Sequence, residues 1–269
     1  MRRPALVVLI AVALVLAGTG CATSKGGTGA DGVHLVKAGT LTVCTHLPYE
    51  PFQYKNDAGK IVGFDIDLMN LVARKLKVKQ SIVDTPFEGI KSGQDLNSGM
   101  CDVAAAGMTI NPERQKVMDF SSPYFDANQA LLVRSGSHYD SLDSLRGKKL
   151  GTQAATTGEE YANQHAKAAG YTTVSYKDLA ALQQALATKQ VDAAIDDLPV
   201  MTTYVKHHPA GFTVSAQFST GEQYGYSVKK GGNPKLLATI NQVLAAAHKD
   251  GSYEKIYARW IGGKPGGAS

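Results

Sequence analysis

Gly63-Phe-Asp-Ile-Asp-Leu-Met-Asn-Leu-Val-Ala-Arg-Lys-Leu76, followed closely by Gln80-Ser-Ile-Val83, decides the fold. Ile66, Met69, Val72, Ala73 and Leu76 recur at helical spacing and share one face. Asp65 is placed to cap the N-terminus, while Arg74, Lys75 and Lys77 at the other end complement the helix dipole. A core-facing helix that hands over to a short strand is one unit of an α/β fold.

Outward from that unit the alternation continues. Leu41-Thr-Val-Cys-Thr45 reads as a strand before it; residues 89–97 read as a helix and 103–106 as a strand ending in a Gly-Met-Thr turn. Residues 130–133 read as an apolar strand crossing elsewhere, because 141–151 begins a fresh helix-turn-strand unit. A second domain follows, with the turn Gln153-Ala-Ala-Thr-Thr-Gly158 opening a helix, an amphipathic segment at 178–188 and a strand at 191–195. Residues 223–228 read as a second crossing strand, and helices from Asn233 and Gly251 return to the first domain. The expected architecture is two α/β lobes joined by two crossings: 33–127 and 225–262 form lobe 1, 128–224 lobe 2, and 263–269 a tail.

The chain opens with Arg2, Arg3 and an apolar run over 5–17, too short to span a bilayer, and small residues lead from Gly18 to Cys21. Residues 1–20 therefore read as a secretory signal. Ending on a cysteine, with a Gly- and Thr-rich stretch behind it, this segment resembles a bacterial lipoprotein signal: Cys21 becomes the lipidated N-terminus and 21–32 a flexible tether. Gly18 stands where such signals usually carry a larger aliphatic residue, so ordinary secretion with Cys21 lost or free is the alternative. The net charge of +5 falls to +3 without Arg2 and Arg3, and no Lys/Arg run suggests nucleic acid. Cys44 and Cys101 would meet if their strands were neighbours, in a compartment where disulfides persist; two buried thiols are the alternative.

Ala106-Gly-Met-Thr-Ile-Asn-Pro-Glu-Arg114 and Val191-Asp-Ala-Ala-Ile-Asp-Asp-Leu-Pro199 carry the chemistry. Brought together, the Arg114 guanidinium and the Asp197 carboxylate complement the α-carboxylate and α-ammonium of a free amino acid. With Leu47-Pro-Tyr-Glu-Pro-Phe52, Asp119-Phe-Ser-Ser-Pro-Tyr124, Ser144-Leu-Arg-Gly-Lys148 and Gly251-Ser-Tyr-Glu-Lys-Ile-Tyr257, their order and spacing resemble the polar amino-acid-binding proteins of bacterial ABC importers over about 41–260. The resemblance implies a two-lobed periplasmic-binding-protein fold and hinge closure over a polar amino acid. It also implies delivery to membrane permease subunits from the outer face of the plasma membrane, by a monomer.

Site roles follow from the resemblance. Arg114 holds the α-carboxylate, helped by Gly107 and Thr109; Asp197 takes the α-ammonium; Thr156 and Thr157 add donors at a helix N-terminus; Tyr49 and Phe87 cover the ligand. His46, Gln153 and Asp196 match side-chain contacts, a set that leans away from glutamate and ranks glutamine or asparagine first, with arginine or lysine close behind. Capping of the following helix is the plainer role for one of the paired acids. The rival from another class is a lyase resembling cyclohexadienyl dehydratase, with Glu88, Glu159 or Asp196 as general acid, but its prephenate-type substrate has no ammonium for Asp197. An amino-acid-sensing lipoprotein without transport is the third reading. No metal or cofactor is expected: the histidines are scattered, and no zinc spacing, phosphate loop or nucleophile elbow occurs.

Overall fold

A computed structural model describes Gly27, Thr28 and residues 32–265. The expected leader and Cys21 lie outside the described residues. Within the expected tether, β1 (Gly27–Thr28) pairs antiparallel with β2 (His34–Leu35), so the segment is not free throughout its length. The first lobe then runs through β3 (Thr40–Thr45), the hairpin β4 (Tyr54–Lys55) and β5 (Ile61–Val62), α1 (Phe64–Lys75), β6 (Lys79–Asp84), α2 (Phe87–Lys91), α3 (Gln94–Asn97), β7 (Val103–Ala104), α4 (Pro112–Val117) and β8 (Met118–Phe120). The second comprises β9 (Phe125–Arg134), β10 (Lys149–Gln153), α5 (Thr157–Ala169), β11 (Thr172–Tyr176), α6 (Leu179–Ala187), β12 (Ala193–Asp197), α7 (Leu198–His207) and β13 (Phe212–Tyr224). The chain returns with β14 (Ser227–Lys229), α8 (Pro234–Asp250) and α9 (Ser252–Trp260).

Two five-stranded sheets result, ordered β6-β3-β7-β14-β8 and β11-β10-β12-β9-β13. β3 is parallel to β6 and β7, and β10 to β11 and β12, so these strands aim their carboxyl ends the same way within each lobe. Open α/β sheets bind ligands at those ends. Burial of Ile66, Met69, Val72 and Ala73 on α1 follows the expected face, and α8 and α9 pack on that helix, which returns the C-terminal region to the first lobe. Cys44 on β3 and Cys101 just before β7 are disulfide-bonded, with Cα atoms 5.6 Å apart, because the two strands are parallel neighbours.

The crossings are short and bonded to each other. Ser121 N–H donates to Tyr226 O (2.8 Å), Tyr124 N–H to Tyr224 O (3.0 Å), and Tyr226 N–H to Ser121 Oγ (3.0 Å). Around them Phe52, Phe64, Tyr124, Phe125, Tyr224 and Tyr226 form an aromatic knot; Tyr124 stacks on Tyr226 with centroids 4.1 Å apart, and Phe52 meets Phe125 edge-on at 4.9 Å. Such pairs add to burial and hold the pivot.

Several expectations need correction. Asp65 is not the cap of α1; Gly63 holds that place, and Asp65 lies fully buried in the first turn, where Oδ2 accepts Gly107 N–H at 2.9 Å. The expected helix over 89–97 is two helices, broken at Gly93, whose φ of +72° is left-handed. Residues 130–133 lie inside the second sheet, and the chain crosses earlier, between β8 and β9. The strand expected at 191–195 lies two residues later. Asp196 and Asp197 pair with Ala130 and Gln129, so sheet pairing overrides the poor strand preference of aspartate.

Candidate functional site

Where the lobes meet, a cavity is lined by His46, Tyr49, Gln53, Phe87, Ala106, Gly107, Thr109, Arg114, Gln153, Thr156, Thr157 and Asp197. Its volume of about 10 Å³ holds roughly one water. A larger ligand requires the lobes to part.

The first lobe supplies the cation. Asn111 caps α4 by accepting Arg114 N–H at 2.9 Å, and Pro112 starts the helix with its φ already set. This places Arg114 at 3 % exposure, its guanidinium 5.5 Å from the Phe87 ring centroid. Nη1 donates to Thr109 O (2.8 Å) and Nη2 reaches across the cleft to Ala155 O (3.3 Å); Nε has no partner among the described residues. Burial lowers the Arg114 pKa, and Glu160 and Asp197 oppose that shift. Gly107 has φ +55°, and a Cβ there would lie 2.8 Å from Tyr49 Cε1; in this structure the close approach that needs glycine is to a tyrosine ring.

The second lobe supplies the anions. Asp197, 5 % exposed at the end of β12, accepts from Tyr49 OH (2.6 Å), Tyr224 OH and Gln129 Nε2. Asp196 Oδ1 accepts Asp197 N–H at 2.8 Å and lies 2.8 Å from Tyr49 OH. Burial pushes both carboxyl pKa values up; the charge of Asp197 adds to the effect at Asp196, and that of Glu222 to the effect at Asp197. Gln129 Nε2 also donates to Glu222 Oε2 at 2.8 Å, drawing a third acid into the group. Neither Asp196 nor Asp197 caps α7 through its side chain.

Ten of the eleven expected binding residues line the cavity. Asp196 does not: it is 1 % exposed, behind Tyr49 and Asp197. The Thr156 hydroxyl is committed to capping α5, accepting Glu159 N–H (3.1 Å) and donating to Gln153 O (2.8 Å), which leaves its backbone for a ligand. Thr157 Oγ1 lies 3.4 Å from Thr109 Oγ1 across the cleft. Sequence reasoning missed Gln53, Gln129, Glu222 and Tyr224. Gln129 could have been found as a polar residue inside an apolar strand; Gln53 directly follows the Leu47–Phe52 motif.

Three acceptors at this cavity are buried and without partners among the described residues: Gln53 Oε1, Gln153 Oε1 and His46 Nε2. His46 Nδ1 lies 2.9 Å from Thr85 O, and a carbonyl only accepts. Nδ1 therefore donates, which makes Nε2 the acceptor in the neutral ring.

Two α/β lobes, two crossings and a charged cleft between the carboxyl ends of their strands define a cleft-type ligand-binding protein. Residues 41–263 match the bacterial extracellular solute-binding proteins, family 3, and the chain belongs to that family. It is 28% identical to the arginine-binding extracellular protein ArtP of Bacillus subtilis (strain 168), across 96% of this chain and 98% of ArtP. Among solved structures it is similar to an ancestral arginine-binding protein bound to arginine, with a TM-score of 0.79, 43% identity, and coverage of 83% of this chain and 99% of the other. An ancestral arginine-binding protein bound to glutamine matches with a TM-score of 0.78, 42% identity and coverage of 84% and 99%. No helix among the described residues is long and apolar enough to cross a membrane.

Proposed function

We propose that this protein binds a cationic amino acid, L-arginine first, outside the cytoplasm and delivers it to an ABC importer. Arg114 takes the α-carboxylate, and Asp197, on the facing lobe, takes the α-ammonium. Closure depends on both charges, which gives the closed state its differential affinity. The relatives described above are named for binding, and the protein is a binding protein rather than an enzyme. Cys21 is its lipidated residue, and the anchored monomer remains at the outer face of the membrane.

The observation that carries the ligand assignment is the acceptor set: Gln53 Oε1, Gln153 Oε1 and His46 Nε2 at one cavity. Unmade hydrogen bonds of buried groups are costly, so the favoured side chain is rich in donors. A guanidinium offers five N–H groups and no acceptor; a glutamine amide offers two with an acceptor that these atoms would repel. This reverses the order drawn from the sequence. Glutamine is the second reading, supported by the glutamine-bound relative.

A thermal-shift screen with all twenty amino acids, followed by calorimetry, tests the assignment, because a native-state ligand raises the melting temperature by mass action. Arginine should give the largest shift and glutamate little. A larger shift with glutamine would overturn the side-chain assignment, and no shift with any amino acid would overturn the function.

A further inference from the structure

We propose that Asp196 is a positioning residue that holds a proton in the ligand-free protein and releases it when the ligand's ammonium reaches Asp197. The proposal rests on the ammonium assignment above. The Tyr49 hydroxyl has one hydrogen yet lies 2.8 Å from Asp196 Oδ1 and 2.6 Å from Asp197 Oδ2. An ionised carboxylate cannot donate. Unless that single hydrogen is shared in a bifurcated bond, two full hydrogen bonds require one of the two acids to carry a proton and donate it to the tyrosine oxygen.

Asp196 is the better holder. Asp197 receives donors from Tyr49, Tyr224 and Gln129, three contacts that favour its charge. Asp196 receives one backbone N–H, its Oδ2 has no partner among the described residues, and it is 1 % exposed. The relay is then Asp196 Oδ1–H to Tyr49 Oη, and Tyr49 Oη–H to Asp197 Oδ2. The other charged and titratable groups around it are Glu222 and Tyr224 on β13, Arg114 on α4, and Glu159 and Glu160 on α5, which packs against β12. Burial and the neighbouring acid favour the protonated form of Asp196.

An arriving ammonium brings up to three N–H donors to Asp197 and replaces the Tyr49 hydrogen there. Tyr49 turns its hydrogen to Asp196, which ionises, and the proton passes to buffer. The Asp196 O–H bond breaks and its proton is taken up by the buffer base; no other covalent bond changes, and the cluster exchanges one positive charge for another. The device spares the empty cleft two adjacent buried charges while leaving Asp197 ready for a cation.

Isothermal titration of the purified protein with L-arginine at about pH 7, in phosphate and in Tris, counts the protons released. Approaching one proton per arginine is expected, with affinity rising by up to about tenfold per pH unit between pH 6 and 8. Asp196→Asn should bring the count close to zero whatever its affinity, and Glu222→Gln should keep it. No release by the unaltered protein, an undiminished count in Asp196→Asn, or loss only in Glu222→Gln would each overturn the proposal. If Asp196→Asn does not fold, difference infrared spectra of the unaltered protein decide: a protonated-carboxyl band must disappear on adding arginine. Failure of every amino acid to bind would instead remove the function on which the proposal rests.

Discussion

The two walls of the cleft hold opposite charges by opposite means. Arg114 keeps its charge among neutral carbonyls and one aromatic face, with Nε still unpartnered. Asp197 is crowded by Asp196 and Glu222 and restrained by two tyrosine hydroxyls and an amide. A guanidinium tolerates this because it does not deprotonate in proteins, whereas carboxyls at close quarters adjust by taking up a proton. The cation wall therefore keeps its charge, whereas burial and neighbouring acids raise the carboxyl pKa values of the anion wall.

The largest test of this contrast removes the charge of the cation wall. Arg114→Ala should preserve the fold by circular dichroism and cost about 2–5 kcal/mol of arginine affinity by calorimetry, since a buried charge partner is lost. Unchanged affinity would end the assignment. A covalent bond braces the first wall, from β3 below His46 to the start of β7. Replacing Cys44 and Cys101 by serine should cost about 4 kcal/mol in urea unfolding, from the chain entropy of a loop whose ends are 57 residues apart.

The third test asks whether pH response is confined to the second wall. Asp65, behind Gly107 in the first lobe, has its pKa raised by burial to about 7, opposed by the Gly107 N–H. Its folded pKa exceeds the unfolded value, so the folded state holds the extra proton between the two. Its stabilising contribution is full below about pH 4 and is lost as pH rises through about 7, on the order of 4 kcal/mol in all. Asp65→Asn should flatten that part of the stability–pH curve; an unchanged slope would place the titration elsewhere. The smallest expected effect is at the rim, where Lys91 faces Glu160 across the cleft at 3.9 Å. Lys91→Ala should change affinity by less than about 1 kcal/mol and should have no effect at high salt.

How much was legible follows from the range of each interaction. The amphipathic face of α1, the Asn111-Pro112 start that orients Arg114 and the Thr156 cap of α5 are local features, expressed within a few residues. Their elements were readable, and the two residues read as opposite charges, Arg114 and Asp197, line one cavity. Asp65 was misread because a helix start and an aspartate suffice for a cap, while its contact with Gly107 lies 42 residues away. The placement of Asp196 was misread for the same reason: pairing of β12 with β9 sets its direction, and Tyr49 comes from 147 residues earlier to cover it.

The sequence by itself determined two α/β lobes, a charge on each and the segments that carry them, because hydrophobic period, turns and caps act over one or two turns of chain. Tertiary structure alone decided that Glu222 and Tyr224 join the acid cluster around Asp197 and that Tyr49 links two acids. It also decided that Gln53 Oε1, Gln153 Oε1 and His46 Nε2 are left without partners among the described residues at one cavity. Those properties depend on which atoms are left without partners after folding, and that is known only when every distant segment is in place.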